Sequence, residues 1–265
     1  MMHSPADFEK IACDAARKGG EVLRRRFREH HPLRVELKGR HDFVTEVDRQ
    51  AEAAVLGYLR ERFPGHAYMS EEESPDADAA EYRWILDPLD GTTNFIHGVS
   101  PFSVSIALED GRGLVAAAIF DPHASEIFHA CRGGGARLNG EPIRCSRPGG
   151  LEHSLVATGF PFRELSRLDR YLQSFEAFAR TTSGIRRAGS AAIDLAYTAC
   201  GRYDGFWEIG LSRWDIAAGT LLVREAGGRV TDPSGGDTFL DTGDIVAAGS
   251  ELHPAMLEIT KRAFG

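Results

Sequence analysis

An apolar run, Trp84-Ile85-Leu86, breaks off in Asp87-Pro88-Leu89-Asp90-Gly91-Thr92-Thr93-Asn94, and few segments restrict a chain as much. The apolar residues read as the end of a buried strand, Pro88 as its stop, and Gly91 as a tight turn from which the chain restarts as a helix. Thr92, Thr93 and Asn94 suit the cap and first turn of that helix, where unpaired N–H groups and the positive dipole end favour an anion such as phosphate. Asp87 and Asp90, three residues apart on a rigid turn beside that anion site, suit a hard, oxygen-seeking cation such as Mg²⁺. The string alone also fits an ordinary turn, so the rest of the chain must decide.

With 265 residues and 42% hydrophobic content, the chain can bury one large core or two closely joined halves. A net charge of -8 argues against nucleic acid as the main partner, because a phosphate backbone calls for a basic footprint. The run Arg24-Arg25-Arg26 lies on an amphipathic pattern and reads as a solvated face. Cys13, Cys131, Cys145 and Cys200 have no zinc-like spacing, which points to free, reduced thiols and a cytoplasmic protein. No apolar run approaches the length of a membrane span, and the polar first ten residues do not resemble an export signal.

Helical spacing links Phe8, Ile11, Ala12, Ala15, Ala16, Val22, Leu23 and Phe27, and again Val47, Ala51, Ala54, Val55, Tyr58 and Leu59. Residues 30–42 between them are polar, contain Pro32 and Gly39, and read as a loop able to move. Three short runs, 103–109, 113–120 and 126–130, are divided by Asp110-Gly111 and Asp121-Pro122, as in an antiparallel meander. Gly133-Gly134-Gly135 lacks the later spacing and the Lys-Ser/Thr of a nucleotide loop. After the Ser146-Arg-Pro-Gly-Gly150 stretch, strands are expected at 155–159, 203–208, 229–231 and 245–248. Helices are expected at 165–179, 191–200, 214–226 and 254–264. Helices alternating with strands after a meander imply two sheets layered with helices, with possible halves at 1–148 and 149–265.

Other carboxylates stand at similar junctions. Asp48 and Asp215 open helices, where capping would suffice, and Glu71-Glu72-Glu73 would ordinarily be a solvated run. Yet Asp48, Glu71, Asp87, Asp90 and Asp215 all sit at strand ends or helix starts, where clefts form. Gathered in one pocket they would repel one another unless cations neutralised them.

The Asp87–Asn94 motif, together with Trp214-Asp-Ile-Ala-Ala-Gly219 and Glu225-Ala-Gly-Gly228, resembles the inositol monophosphatase family. Asp42-Phe-Val-Thr-Glu-Val-Asp48, Ser70-Glu-Glu72, Gly189-Ser-Ala-Ala192 and Asp204-Gly-Phe-Trp-Glu208 extend the resemblance over nearly the whole chain. It implies a single domain, a layered α-β-α-β-α sandwich of the sugar phosphatase type, Mg²⁺-dependent hydrolysis of an inositol or sugar monophosphate, lithium sensitivity and a homodimer. One metal position would use Glu71, Asp87 and the Leu89 carbonyl. A second would use Asp87, Asp90 and Asp215, with a weaker third ion near Glu71. The resemblance assigns phosphate contacts to Gly91 and Thr92, activation of water to Thr92 with Asp48, and catalytic support to Glu71. Gly189, Ser190, Ala191, Glu208 and Asp215 would meet the rest of the substrate, and Lys38 would lie on the loop nearby. Between Glu71 and Glu72 the family register favours Glu71. Rival readings are the same fold acting on histidinol phosphate, fructose 1,6-bisphosphate or 3′-phosphoadenosine nucleotides, a covalent aspartyl phosphatase, and a regulatory or RNA-associated protein that keeps the fold.

Overall fold

Side chains in the middle of the chain alternate between two separate cores, and that alternation sets the layers. The computed structural model describes residues 3–29, 35–39, 42–73, 80–162 and 165–264. The first half runs α1 (Pro5–Glu29), β1 (Val35–Gly39), β2 (Asp42–Thr45), α2 (Glu46–Arg62), β3 (Ala67–Ser70), β4 (Tyr82–Asp90), α3 (Thr92–Ile96), β5 (Ser103–Asp110), β6 (Gly113–Asp121), β7 (Glu126–Cys131), β8 (Gly135–Leu138) and β9 (Glu141–Ile143). The second half adds β10 (Leu155–Thr158), α4 (Leu168–Thr181), β11 (Gly184–Arg186), α5 (Ala191–Ala199), β12 (Gly205–Glu208), α6 (Arg213–Glu225), β13 (Gly228–Thr231), α7 (Phe239–Thr242), β14 (Ile245–Gly249) and α8 (His253–Phe264).

Strands β3 to β9 form a seven-stranded sheet in sequence order, antiparallel except for the parallel β3–β4 pair. One face of β5 and β6 presents Val104, Ile106, Leu108, Ala118 and Phe120 to Phe8 and Leu23 of α1 and Val55 and Leu59 of α2. The opposite face presents Ala107, Ala117 and Ile119 to Ile193 and Leu195 of α5 and to Ile216 and Leu222 of α6. Residues 191–196 of α5 and 215–223 of α6 are buried without a break because both helices lie between sheets. On their far side sits a five-stranded sheet, ordered β11-β10-β12-β14-β13, which contributes Phe206, Ile245 and Ala247 to the same core. Its outer face buries Val156, Trp207 and Val246 under Phe178 of α4 and Met256 of α8. The result is the expected α-β-α-β-α sandwich. No helix among the described residues is long and apolar enough to cross a membrane, and the four cysteines are free.

Three expectations need correction. Within residues 30–42, positions 35–39 are not loop: Val35-Glu-Leu-Lys-Gly39 alternates and pairs antiparallel with β2, Leu37 opposite Phe43. Residues 30–34 and 40–41 lie outside the described residues. Pro88 does not stop its strand either, because β4 continues to Asp90. The ladder to β5 is irregular between Asp87 and Asp90, so the missing proline N–H interrupts no pairing there. Thirdly, the helix expected from Leu165 starts at Leu168 after a single 3₁₀ turn. The short strands β8, β9 and β11 carry too few residues to show a period. The glycine run lies at the β7–β8 turn, where Glu225 accepts the N–H groups of Gly133 at 2.8 Å and Gly135 at 2.9 Å.

Candidate active site

Parallel pairing brings the first two carboxylates together. Ser70 lies opposite Leu86, so Glu71, just past the end of β3, comes alongside Asp87 of β4. Residues of period two share a face, which puts Asp87 with Ile85 on the side of β4 turned to α5 and α6. Asp215 reaches the same place from the first turn of α6. Asp87, Asp90 and Asp215 are all buried, and each offers an oxygen within 4.8 Å of the others.

Backbone donors orient all three carboxylates. Leu89 N–H donates to Asp87 Oδ1 at 2.8 Å, Ala192 N–H to Asp90 Oδ2 at 2.8 Å, and Ser212 N–H to Asp215 Oδ2 at 2.7 Å. The Ser190 hydroxyl, which also caps α5, donates to Asp90 as well. Burial, followed by repulsion from Glu71, Asp90 and Asp215, holds the Asp87 carboxyl well above its ordinary range. Burial also raises Asp90, against the pull of its Ser190 and backbone hydrogen bonds. A compact set of oxygen donors without histidine or cysteine, destabilised by its own charge, fits a hard divalent cation.

Thr92 and Asp48 form a second unit. Asp48 closes a capping box with Thr45 at the start of α2, accepting the Thr45 N–H at 2.9 Å through Oδ2. Its other oxygen, Oδ1, lies 3.3 Å from the Thr92 hydroxyl, which is also 3.0 Å from the Leu89 carbonyl. Asp48 therefore both caps α2 and contacts Thr92. Burial pushes Asp48 up to about 6, offset in part by the Thr45 hydrogen bonds. Glu71 forms part of the cavity wall, whereas Glu72 acts electrostatically on Asp48.

Gly91 occupies a left-handed conformation, φ 94°, at the cap of α3. A side chain there would also meet the Pro101 carbonyl at 3.1 Å and the Gly189 carbonyl at 3.3 Å. The cap is thus Gly91, and Thr92 to Asn94 lie inside a helix of only five residues. Asn94 ties this turn to the loop before α5, donating to the carbonyls of Pro101 at 2.7 Å and Ala188 at 2.8 Å.

These segments enclose a cavity of about 400 Å³ whose wall includes Glu71, Asp87, Leu89, Asp90, Gly91, Thr92, Gly189, Ser190, Ala191, Glu208 and Asp215. Asp48 stands behind Thr92. Lys38 lies on β1, and its side chain is outside the described residues. Sequence reasoning did not select Phe160, Pro161, Phe162, Arg187 or Asp194, which line the end of the cavity with Glu208. Arg187 places its guanidinium over Phe160 and Phe162, 5.9 and 5.5 Å from their ring centres. Gly159 permits this end to close, because a Cβ there would come within 1.9 Å of the Glu208 carboxylate. One signal was available: Asp194 is the sole charged residue in the apolar helix Ala191–Ala199.

Comparison with known proteins points to one family. A sequence model of the inositol monophosphatase family matches residues 4–263. The chain is 49% identical over 252 residues to a Pseudomonas aeruginosa protein named Nus factor SuhB, covering 93% of each. It is 43% identical over 253 residues to an inositol-1-monophosphatase of Mesorhizobium japonicum, covering 95% of each. Among solved structures, the extragenic suppressor protein suhB of Bartonella henselae superposes with a TM-score of 0.90 at 42% identity, over 94% of this chain and 96% of that one.

Proposed function

The chain belongs to the inositol monophosphatase family, a family of phosphatases, and from that premise we propose that it hydrolyses inositol monophosphate, of the myo-inositol 1-phosphate type, by direct attack of water. The observation that carries this reading is the convergence of Asp87, Asp90 and Asp215 in one cavity wall that also bears Glu208. Asp87, Asp90 and Asp215, with Glu71 and the Leu89 carbonyl, would hold two Mg²⁺ ions, which supply positive charge for the phosphate oxygens, the attacking water and the departing alkoxide. Gly91 and Thr92 would receive the phosphate at the start of α3. The Thr92 hydroxyl would orient the water and hand its proton towards Asp48, whose elevated pKa makes it a usable base near neutrality. Glu208 and the Gly189–Ala191 segment would accept hydroxyls of the alcohol. No side chain need become a covalent intermediate.

Phosphate release would be measured from myo-inositol 1-phosphate, histidinol phosphate, fructose 1,6-bisphosphate and 3′-phosphoadenosine nucleotides, with Mg²⁺ and with chelator. The highest kcat/KM is expected for the inositol ester, only with Mg²⁺, with inhibition by lithium and with a homodimer in solution. A preference for a bisphosphate would overturn the substrate reading, and label from heavy water entering Asp87 or Asp90 would overturn the direct attack. A second reading is that the chain also acts as a Nus factor, as its 49%-identical relative is named. Glu21, Arg24, Arg25 and Arg28 line a separate open depression on α1 that could serve it. Charge reversal at those arginines should then impair that role and spare phosphate release.

A further inference from the structure

Asp194 is 1% exposed, its carboxyl makes no hydrogen bond to any described residue, and Oδ1 is completely buried. It nevertheless forms part of the cavity wall with Glu208 and Arg187. A buried carboxyl without partners costs stability whether ionised or neutral, and a side chain of similar volume without polar atoms would avoid that cost. The other buried carboxylates of the site each accept a backbone N–H. Asp194 alone among them lines the cavity without a hydrogen bond to any described residue.

Asp194 stands outside the group of carboxylates close enough to share an ion, and the Arg187 guanidinium acts on it electrostatically. Burial, then the charges of Glu208 and Asp90, push its carboxyl well above the ordinary range. A protonated carboxyl both donates and accepts, which matches a hydroxyl of a bound alcohol. Glu208, half-buried over Gly159, is positioned to act on the same part of the substrate.

We propose that Asp194 is a specificity-determining residue that, beside Glu208, hydrogen-bonds the hydroxyls of the alcohol portion and so selects polyhydroxylated phosphomonoesters. This rests on the phosphatase reading above. The substrates to compare are myo-inositol 1-phosphate and cyclohexyl phosphate, which has a similar ring without hydroxyls. Asp194→Ala should raise KM for the inositol ester by about threefold to tenfold, the net worth of one hydrogen bond between neutral groups. Turnover of cyclohexyl phosphate should stay within about twofold. Asp194→Asn, which keeps one donor and one acceptor, should recover most of the loss, and both variants should melt no lower than the parent. Where alanine leaves too large a cavity, Asp194→Leu replaces it. Equal loss on both substrates, or no loss on the inositol ester, would overturn the assignment and leave the phosphatase reading standing. Failure of the unaltered protein to hydrolyse either ester would sink that reading itself.

Discussion

The two ends of the cavity are built differently. At the carboxylate end, Asp87, Asp90 and Asp215 each accept a backbone N–H, and Asp48 is fixed by a capping box. At the end that the proposed function gives to the alcohol, Phe162 is 47% exposed, Arg187 lies over its ring, and Asp194 has no hydrogen-bond partner among the described residues. Charge that must meet developing charge has to be set in advance, because reorganising dipoles during the reaction is costly. Recognition of an alcohol tolerates adjustment, so under the proposed function the Glu208 end would set which ester is chosen and the carboxylate end how fast it reacts.

That contrast breaks most sharply at the carboxylates. Asp90→Asn or Asp215→Asn should lower kcat at least about 10³-fold on every substrate, with the melting temperature kept. Substrate-dependent loss in steady-state kinetics would erase the division. Next, Thr92→Ala and Asp48→Asn should each lower kcat by about 10²–10³-fold. Asp48 must be ionised to accept a proton, so the parent's kcat/KM should rise with pH through about 6 and flatten above it. The residual rate of the Asp48→Asn variant should lack that limb. The same group makes a stability prediction of opposite sense: its folded pKa lies above the ordinary 3.8, so its contribution is fully present below that value and is lost as pH rises through about 6. In chelator-treated protein, Asp48→Asn should therefore flatten the fall in melting temperature over that window.

Glu208→Gln at the opposite end should raise KM for the inositol ester by about tenfold with kcat little changed. A comparable fall in kcat would place Glu208 with the carboxylate end. Smallest in activity, Glu225→Ala should leave kinetics unchanged while costing about 1–2 kcal/mol of stability, because two backbone N–H groups at the β7–β8 turn lose their acceptor. Denaturant unfolding measures it.

The carboxylate end was legible because its signals are local. Asp87 and Asp90 share one turn, Asp48 and Asp215 occupy the third position of their helices, and each carries a motif around it. The Glu208 end was only half legible. Glu208 stood out through its family segment, but Phe160, Phe162 and Arg187 are ordinary residues of loops and an edge strand's end, with no period or spacing of their own. Pro88 misled for a related reason. Whether a proline ends a strand depends on whether its neighbour needed that N–H, and β5 lies thirteen residues or more along the chain.

Residue pattern alone pointed to two sheets layered with helices, to most of the helices and to carboxylates at element ends, since burial periodicity and capping are properties of neighbouring residues; the five-layer order and the choice of Glu71 came from the family resemblance. Tertiary structure decided which oxygens meet: the parallel register that sets Glu71 beside Asp87, the turn of α6 that delivers Asp215, and the burial that leaves Asp194 unpaired. Such contacts join segments up to more than a hundred residues apart. Distance, desolvation and repulsion exist only once those segments pack, so no local pattern can carry them.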